Sequence, residues 1–187
     1  MKIKSIELIN VKEEEDVSNN IIFVRRSKKE IEINNIISQY ISINTNPNFP
    51  YRFDYMKVGV LKDIDRDYTY DVIPDEIQNG ILYQPIHRIP YGTSTKLTVS
   101  KECTIYFMFH NECDGNYTEI FKEMDEWTLC SSAPQYDLEG KNGDPTHGLY
   151  MTMYKLNAKP GVYNIPAGQH GKATNWACWN IVITNLE

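Results

Sequence analysis

Apolar and polar residues alternate with a period of two along most of this chain. In "CTIYFMFH" (103–110), Cys103, Ile105, Phe107 and Phe109 face one way and Thr104, Tyr106, Met108 and His110 the other. That period predicts a strand whose first set enters a core. "YMKVGVLK" alternates at Met56, Val58 and Val60, and "TKLTVS", "DYTYDVIP" and "EWTLCSS" read as further short strands. "DEIQNGILY" begins as a helical turn and breaks at Asn79-Gly80, and "NECDGNYTEIFKEM" holds a Gly-centred turn and one helical turn. Near the end, "LYMTMYKL" and "GVYNIP" flank Lys159-Pro160-Gly161 and predict a β-ribbon. "NWACWNIVITN" places Ala177, Trp179, Ile181 and Ile183 on one face.

Residues 1–54 have a different texture. "KIKSIELINV" and "NNIIFVRR" predict two strands joined by the acidic "KEEEDVSNN". "KEIEINNIISQYISIN" alternates at Ile31 and Ile33, yet Ile36, Ile37, Tyr40 and Ile41 fit a helical face. Its β-branched residues favour strands. "TNPNFPYRFD" reads as a loop, because its prolines and asparagines break both periods. Short strands at roughly ten-residue spacing predict an all-β fold: an antiparallel β-sandwich, jelly-roll or Ig-like. The expected division is a β-rich N-terminal extension, 1–54, and a sandwich domain, 55–187. Such a sandwich hides one face of each sheet and leaves the other for solvent or a partner.

Composition agrees with β structure: 13 Tyr, 6 Phe and 3 Trp in 187 residues. The net charge of −6 disfavours nucleic acid, whose binding needs a basic field. No apolar run approaches a membrane span. "MKIKSIELINVKEEED" lacks the apolar stretch and small-residue cleavage site of a signal peptide. The location is therefore open between the cell interior and an exported assembly. Cys103, Cys113, Cys130 and Cys178 form no C-x-x-C pair. They are expected as buried thiols, with Cys103–Cys113 or Cys130–Cys178 bridges open to an oxidising compartment.

Candidate chemistry is sparse. His87, His110, His147 and His170 never fall at metal-ligand spacing on one element, so no metal and no cofactor is expected. Asp63, Asp65 and Asp67 alternate like the start of a calcium loop, but Tyr68 and Pro74 occupy the positions of its glycine and its closing Glu. A solvated charged edge is expected there, with Lys62 and Arg66 offsetting the acids. "PAGQHGKAT" lacks the spacing of a phosphate loop, Ser131-Ser132 lack a nucleophile elbow, and adjacent Asp125 and Glu126 on a strand would point apart. The expectation is a protein that is not an enzyme.

Aromatic residues in or beside loops remain. A rigid β surface holds a sugar by stacking its C–H face on Tyr or Trp while Asn and Asp fix its orientation. Tyr136, Asn142, Asp144, Tyr163, Asn175 and Trp176 are the candidate ligand contacts; packing beneath long loops is the competing role.

The order "DRDYTYDVIPDEIQNGILYQPI", "STKLTVSKECTIYFMF", "FKEMDEWTLCSS", "LYMTMYKLNAKPGVYNIPAG", "NWACWNIVI" resembles a β-sandwich module appended to secreted polysaccharide-degrading enzymes of bacteria and fungi. The likeness runs from about Asp63 to Thr184. It implies a non-catalytic accessory module that aids carbohydrate attachment, and it matches Tyr68, Trp127 and Tyr154 to recurrent aromatics of that family. The chain departs from the family at "AGQHGKATN", in a longer loop before Leu149, and in residues 1–54. Two functions compete: a lectin-like protein for a glycan or polysaccharide, and a structural subunit of a decoration, fibre or capsid-associated assembly. In the second, residues 1–54 would pair with a neighbour or a second copy by strand addition.

Overall fold

The computed structural model describes residues 27–90, 92–110, 116–137, 149–168 and 176–186. The two strands expected before residue 27 lie outside them. The first element is a helix, α1 (Lys28–Ile37), where strand was expected. Ser27 caps it: the Glu30 N–H donates to Ser27 Oγ at 3.2 Å, and the Ser27 N–H donates to Glu30 Oε2 at 2.7 Å. This reciprocal pair satisfies two orphan donors of the first turn and outweighs the β preference of the isoleucines. Ile33 and Ile37, one turn apart, are the buried residues of α1.

Strands β1 (Ile41–Asn46) and β2 (Arg52–Tyr55) follow. Then come β3 (Thr69–Val72), a single 3-10 turn at Asp75–Ile77, β4 (Ile81–Gln84), β5 (Ile89–Pro90), β6 (Ser94–Val99) and β7 (Cys103–His110). After α2 (Tyr117–Lys122) lie β8 (Thr128–Leu129), β9 (Gln135–Asp137), β10 (Leu149–Ala158), β11 (Gly161–Ile165), β12 (Trp176–Ala177) and β13 (Trp179–Thr184). All named pairings are antiparallel. The large sheet runs β2-β4-β13-β7-β10-β9-β3, with β8 also on β10; the small sheet runs β1-β6-β11; β5 and β12 form a separate pair. The fold is an all-β antiparallel sandwich.

The segment 28–54 supplies α1, β1 and most of β2. β1 pairs with β6, β2 pairs with β4, and Ile33, Ile37, Ile41, Ile43, Phe49 and Phe53 enter the same core as the later strands. That core lies between the sheets, where Phe107 packs at 5.2 Å from Trp179 and 5.0 Å from Phe121. Cys103, Ile105, Phe107, Phe109, Trp179, Ile181 and Ile183 all belong to it, as their period predicts.

Three further expectations change. The stretch 56–60 is a turn and not a strand: Gly59 takes φ +79°, its N–H donates to Tyr70 O at 2.8 Å, and Val58 is exposed. A left-handed conformation of this kind ends a strand, and glycine takes it without strain. The ribbon of β10 and β11 is no hairpin, because β10 pairs with β7, β8 and β9 while β11 pairs with β6. The Lys159–Pro160 corner carries the chain from one sheet to the other. Finally, the second face of the large sheet is covered and not left to solvent. Tyr106, Met108, Met151, Met153 and Val182 pack there under Met56, Val60, Tyr70, Ile77 and Tyr136.

Candidate functional site

Strand register brings several chain ends together. Met151 of β10 lies opposite His110 of β7, Trp179 of β13 opposite Phe109, and Ile181 opposite Tyr83 of β4. The ends of β4 and β7 and the starts of β10 and β13 therefore share one end of the large sheet. Among the described residues, Gln84, His110, Met151 and Trp179 mark that end. The β5–β12 pair, Trp176 opposite Pro90, belongs to the same end.

Beneath this end lies a buried charged cluster that the sequence reading placed in solvent. Lys62 and Asp63 are both 0% exposed. Their segment is strapped across the chain after β4: the Ile64 N–H donates to Pro85 O at 3.0 Å, and the His87 N–H donates to Asp65 Oδ1 at 2.7 Å. Lys62 Nζ donates to both Asp63 oxygens, at 3.0 and 3.2 Å, and lies 2.8 Å from Cys178 Sγ. His87 Nδ1 stands 3.0 Å from Asp63 Oδ2 and 3.8 Å from Cys178 Sγ. Asn180 closes the floor, donating to Lys62 O at 2.8 Å and Tyr83 O at 3.3 Å, and accepting from the Tyr70 hydroxyl at 3.0 Å. Pairing of this kind is what allows such charges inside a protein.

Each ionisation follows from these contacts. Burial works against the Lys62 ammonium, but Cys178 and Asp63 outweigh it and raise its pKa above the ordinary lysine range. Burial favours a neutral Asp63, but Lys62 and then His87 hold it below the ordinary carboxylate range. Burial likewise opposes a charged His87, whereas the hydrogen bond that Nδ1 donates to Asp63, and the Cys178 sulfur, push it up to about 9. Burial, with Asp63 next, raises the Tyr70 phenol well above its usual value, so it remains a donor.

The arrangement is a poor nucleophile relay. A cysteine relay uses one imidazole nitrogen toward sulfur and the other toward the carboxylate. Here Nδ1 faces both, and the group nearest the sulfur is an ammonium. One donor atom from each of Asp63, His87 and Cys178 lies within 4.8 Å of the others, a donor set suited to zinc. Lys62 stands at hydrogen-bond distance from two of the three and supplies the positive charge itself.

The sequence-predicted contacts divide. Asn142, Asp144 and Asn175 lie outside the described residues. Trp176 is in β12 at that end. Tyr136 is buried, its ring 5.0 Å from Lys62 Nζ and beside Tyr68, Tyr70 and His110, so it packs over the cluster and is not an open stacking surface. Tyr163 lies elsewhere: its hydroxyl bonds the backbone of Lys159 at the sheet-switching corner, and it lines a groove of about 400 Å³ with Glu126, Lys155 and Asn157. Of the aromatics matched by resemblance, Trp127 and Tyr154 are core residues against Phe121, and Tyr68 packs edge-on to His87. Cys103, Cys130 and Cys178 are free, so no Cys130–Cys178 bridge exists. Among the described residues, no helix is long and apolar enough to cross a membrane.

No family model and no curated protein matches the sequence. Among solved structures, a β-glucuronidase from glycoside hydrolase family 2 is similar, with a TM-score of 0.55 at 11% identity, over 78% of this chain and 14% of that one. The chain thus spans a small part of that enzyme's length, and the likeness is one of fold: a part of a larger glycoside hydrolase has this sandwich architecture.

Proposed function

We propose that this chain is a non-catalytic, carbohydrate-binding β-sandwich protein whose ligand sits at the loop-bearing end of the large sheet. The observation that carries the reading is the register that brings the ends of β4 and β7 and the starts of β10 and β13 to one place. Of the candidate contacts, Trp176 lies in β12, paired with β5; Asn142, Asp144 and Asn175 are carried over from the sequence alone. Amides, a carboxylate and an indole are side chains of the kind that orient and stack a sugar ring. The similarity to part of a glycoside hydrolase, and the resemblance to accessory modules of polysaccharide-degrading enzymes, support the same ligand class. The buried cluster then serves as a clasp that fixes the platform under the loops.

Binding to a glycan array and to insoluble polysaccharides tests the reading. Saturable binding is expected, weakened tenfold or more, on the order of 1–2 kcal/mol, by Trp176→Ala. Tyr163→Ala, at the sheet-switching corner, should leave it unchanged. Absence of saturable binding, or loss in Tyr163→Ala with retention in Trp176→Ala, would overturn the proposal.

A further inference from the structure

Lys62 and Cys178 are 116 residues apart in sequence, yet Nζ and Sγ lie 2.8 Å from each other, with the two residues 0% and 1% exposed. Hydrogen bonds to sulfur are ordinarily longer than those to oxygen. This separation is near the span of two single bonds through one bridging atom. Both ends are held. The Lys62 N–H donates to Tyr68 O at 2.8 Å and its carbonyl accepts from Asn180, while the Cys178 carbonyl accepts from the His110 N–H at 3.0 Å. The Tyr136 ring covers the ammonium. Both side chains are buried, and Nζ is also held by the two Asp63 oxygens.

We propose that Lys62 and Cys178 form an oxidisable pair that closes, with dioxygen as oxidant, into a covalent N–O–S bridge. The lysine amine and the cysteine thiol react with one dioxygen to give the bridge and one water. One N–H bond, the S–H bond and the O–O bond are broken; an N–O bond, an S–O bond and the two O–H bonds of water are formed. Nitrogen and sulfur each give up two electrons, and dioxygen takes all four. Asp63, 3.0 Å from Nζ, holds the nitrogen beside the sulfur. An unhindered cysteine oxidises to a sulfenic acid that condenses with a thiol or a nitrogen. Here the group poised against the sulfur is the Lys62 nitrogen. Closure would tie the segment before β3 to the start of β13, and reduction would release it, making the clasp under the loops redox-sensitive.

The test uses wild-type protein held in aerated buffer, then denatured, alkylated and weighed intact. The expected mass gain is one oxygen less two hydrogens, with one fewer alkylatable thiol and no tryptic cleavage after Lys62. A cross-linked peptide pair containing Lys62 and Cys178 should appear and should vanish on treatment with dithiothreitol. Lys62→Arg and Cys178→Ser should each abolish it. Recovery of Cys178 as a free thiol or as a sulfinic acid, with Lys62 unmodified and cleavable, overturns the proposal without reliance on any variant.

Discussion

Asp63 and His87, 24 residues apart in sequence, meet at 3.0 Å between Oδ2 and Nδ1 inside the protein. The same carboxylate receives Lys62, so one acid faces two bases. Asp63 thereby joins the segment before β3 to the segment after β4, and of the charges that look like a solvated edge in the sequence, Lys62 and Asp63 become an internal fastening while Asp65, Arg66 and Asp67 are exposed.

Removing that acid isolates the two bases. Asp63→Asn keeps the volume but strips the counter-charge, and breaking a buried pair from one side costs about 3–5 kcal/mol. Urea unfolding followed by tryptophan fluorescence should show the loss. Asp67, exposed two residues after Asp65, is the control: Asp67→Asn should stay within about 0.5 kcal/mol of wild type. Equal effects at the two positions would return the whole stretch to solvent.

The same contacts set a pH profile. His87 titrates near 9 in the folded protein against an ordinary 6.5, so its contribution is complete below pH 6.5 and is lost as pH rises through 9. Asp63 is held below its ordinary 3.8, so its contribution is present above that value and disappears as acid is added. Stability should therefore form a plateau between about pH 4 and 6.5 and decline by a few kcal/mol at most toward pH 9. Thermal unfolding across this range measures it. In His87→Gln the alkaline limb should flatten; an unaltered limb would assign it to another group.

The strands were legible because the pleat imposes its period locally. Ile105, Phe107 and Phe109, and Trp179, Ile181 and Ile183, enter the core as their alternation requires. Pairing was not legible: Tyr154 and Tyr163 sit on equally alternating segments, yet one faces Phe107 and the other Leu97 on a different sheet. Lys62 and Asp63 pair with each other, but their burial could not be read, since the groups that close the cluster around them, His87 and Cys178, stand 24 and 116 residues away. At α1 a signal was present and was outweighed. Ser27 and Glu30 have capping-box spacing, but the run of isoleucines favoured strand.

That cap gives a clean perturbation. Ser27→Ala removes the acceptor for the Glu30 N–H and loosens the start of α1, at a cost of about 0.5–2 kcal/mol. Ile33→Ala, on the face of α1 that enters the core, should cost more, about 2–5 kcal/mol. Hydrogen exchange of the α1 amides should accelerate in both variants. If neither variant alters global unfolding, residues 28–37 fold independently of the sandwich.

Gly80 is a test of packing between β4 and β13. A Cβ at this position would lie 2.7 Å from Thr184 Cγ2, 2.7 Å from Val182 Cγ1 and 3.0 Å from Ile183 O. The backbone cannot retreat easily, because the Gly80 carbonyl accepts from the Met56 N–H at 2.7 Å and its N–H donates to Ile77 O at 3.1 Å. Replacing glycine by alanine normally gains about 0.4–1 kcal/mol by restricting the unfolded chain. Overpacking a filled site costs about 1–3 kcal/mol, so the clash should win. Gly80→Ala is therefore expected to lower the thermal midpoint and to weaken amide protection at Ile181–Ile183, opposite Ile81–Tyr83. A midpoint equal to or above wild type would mean that β13 yields at this point and that the contact between the two strands is looser than the distances imply.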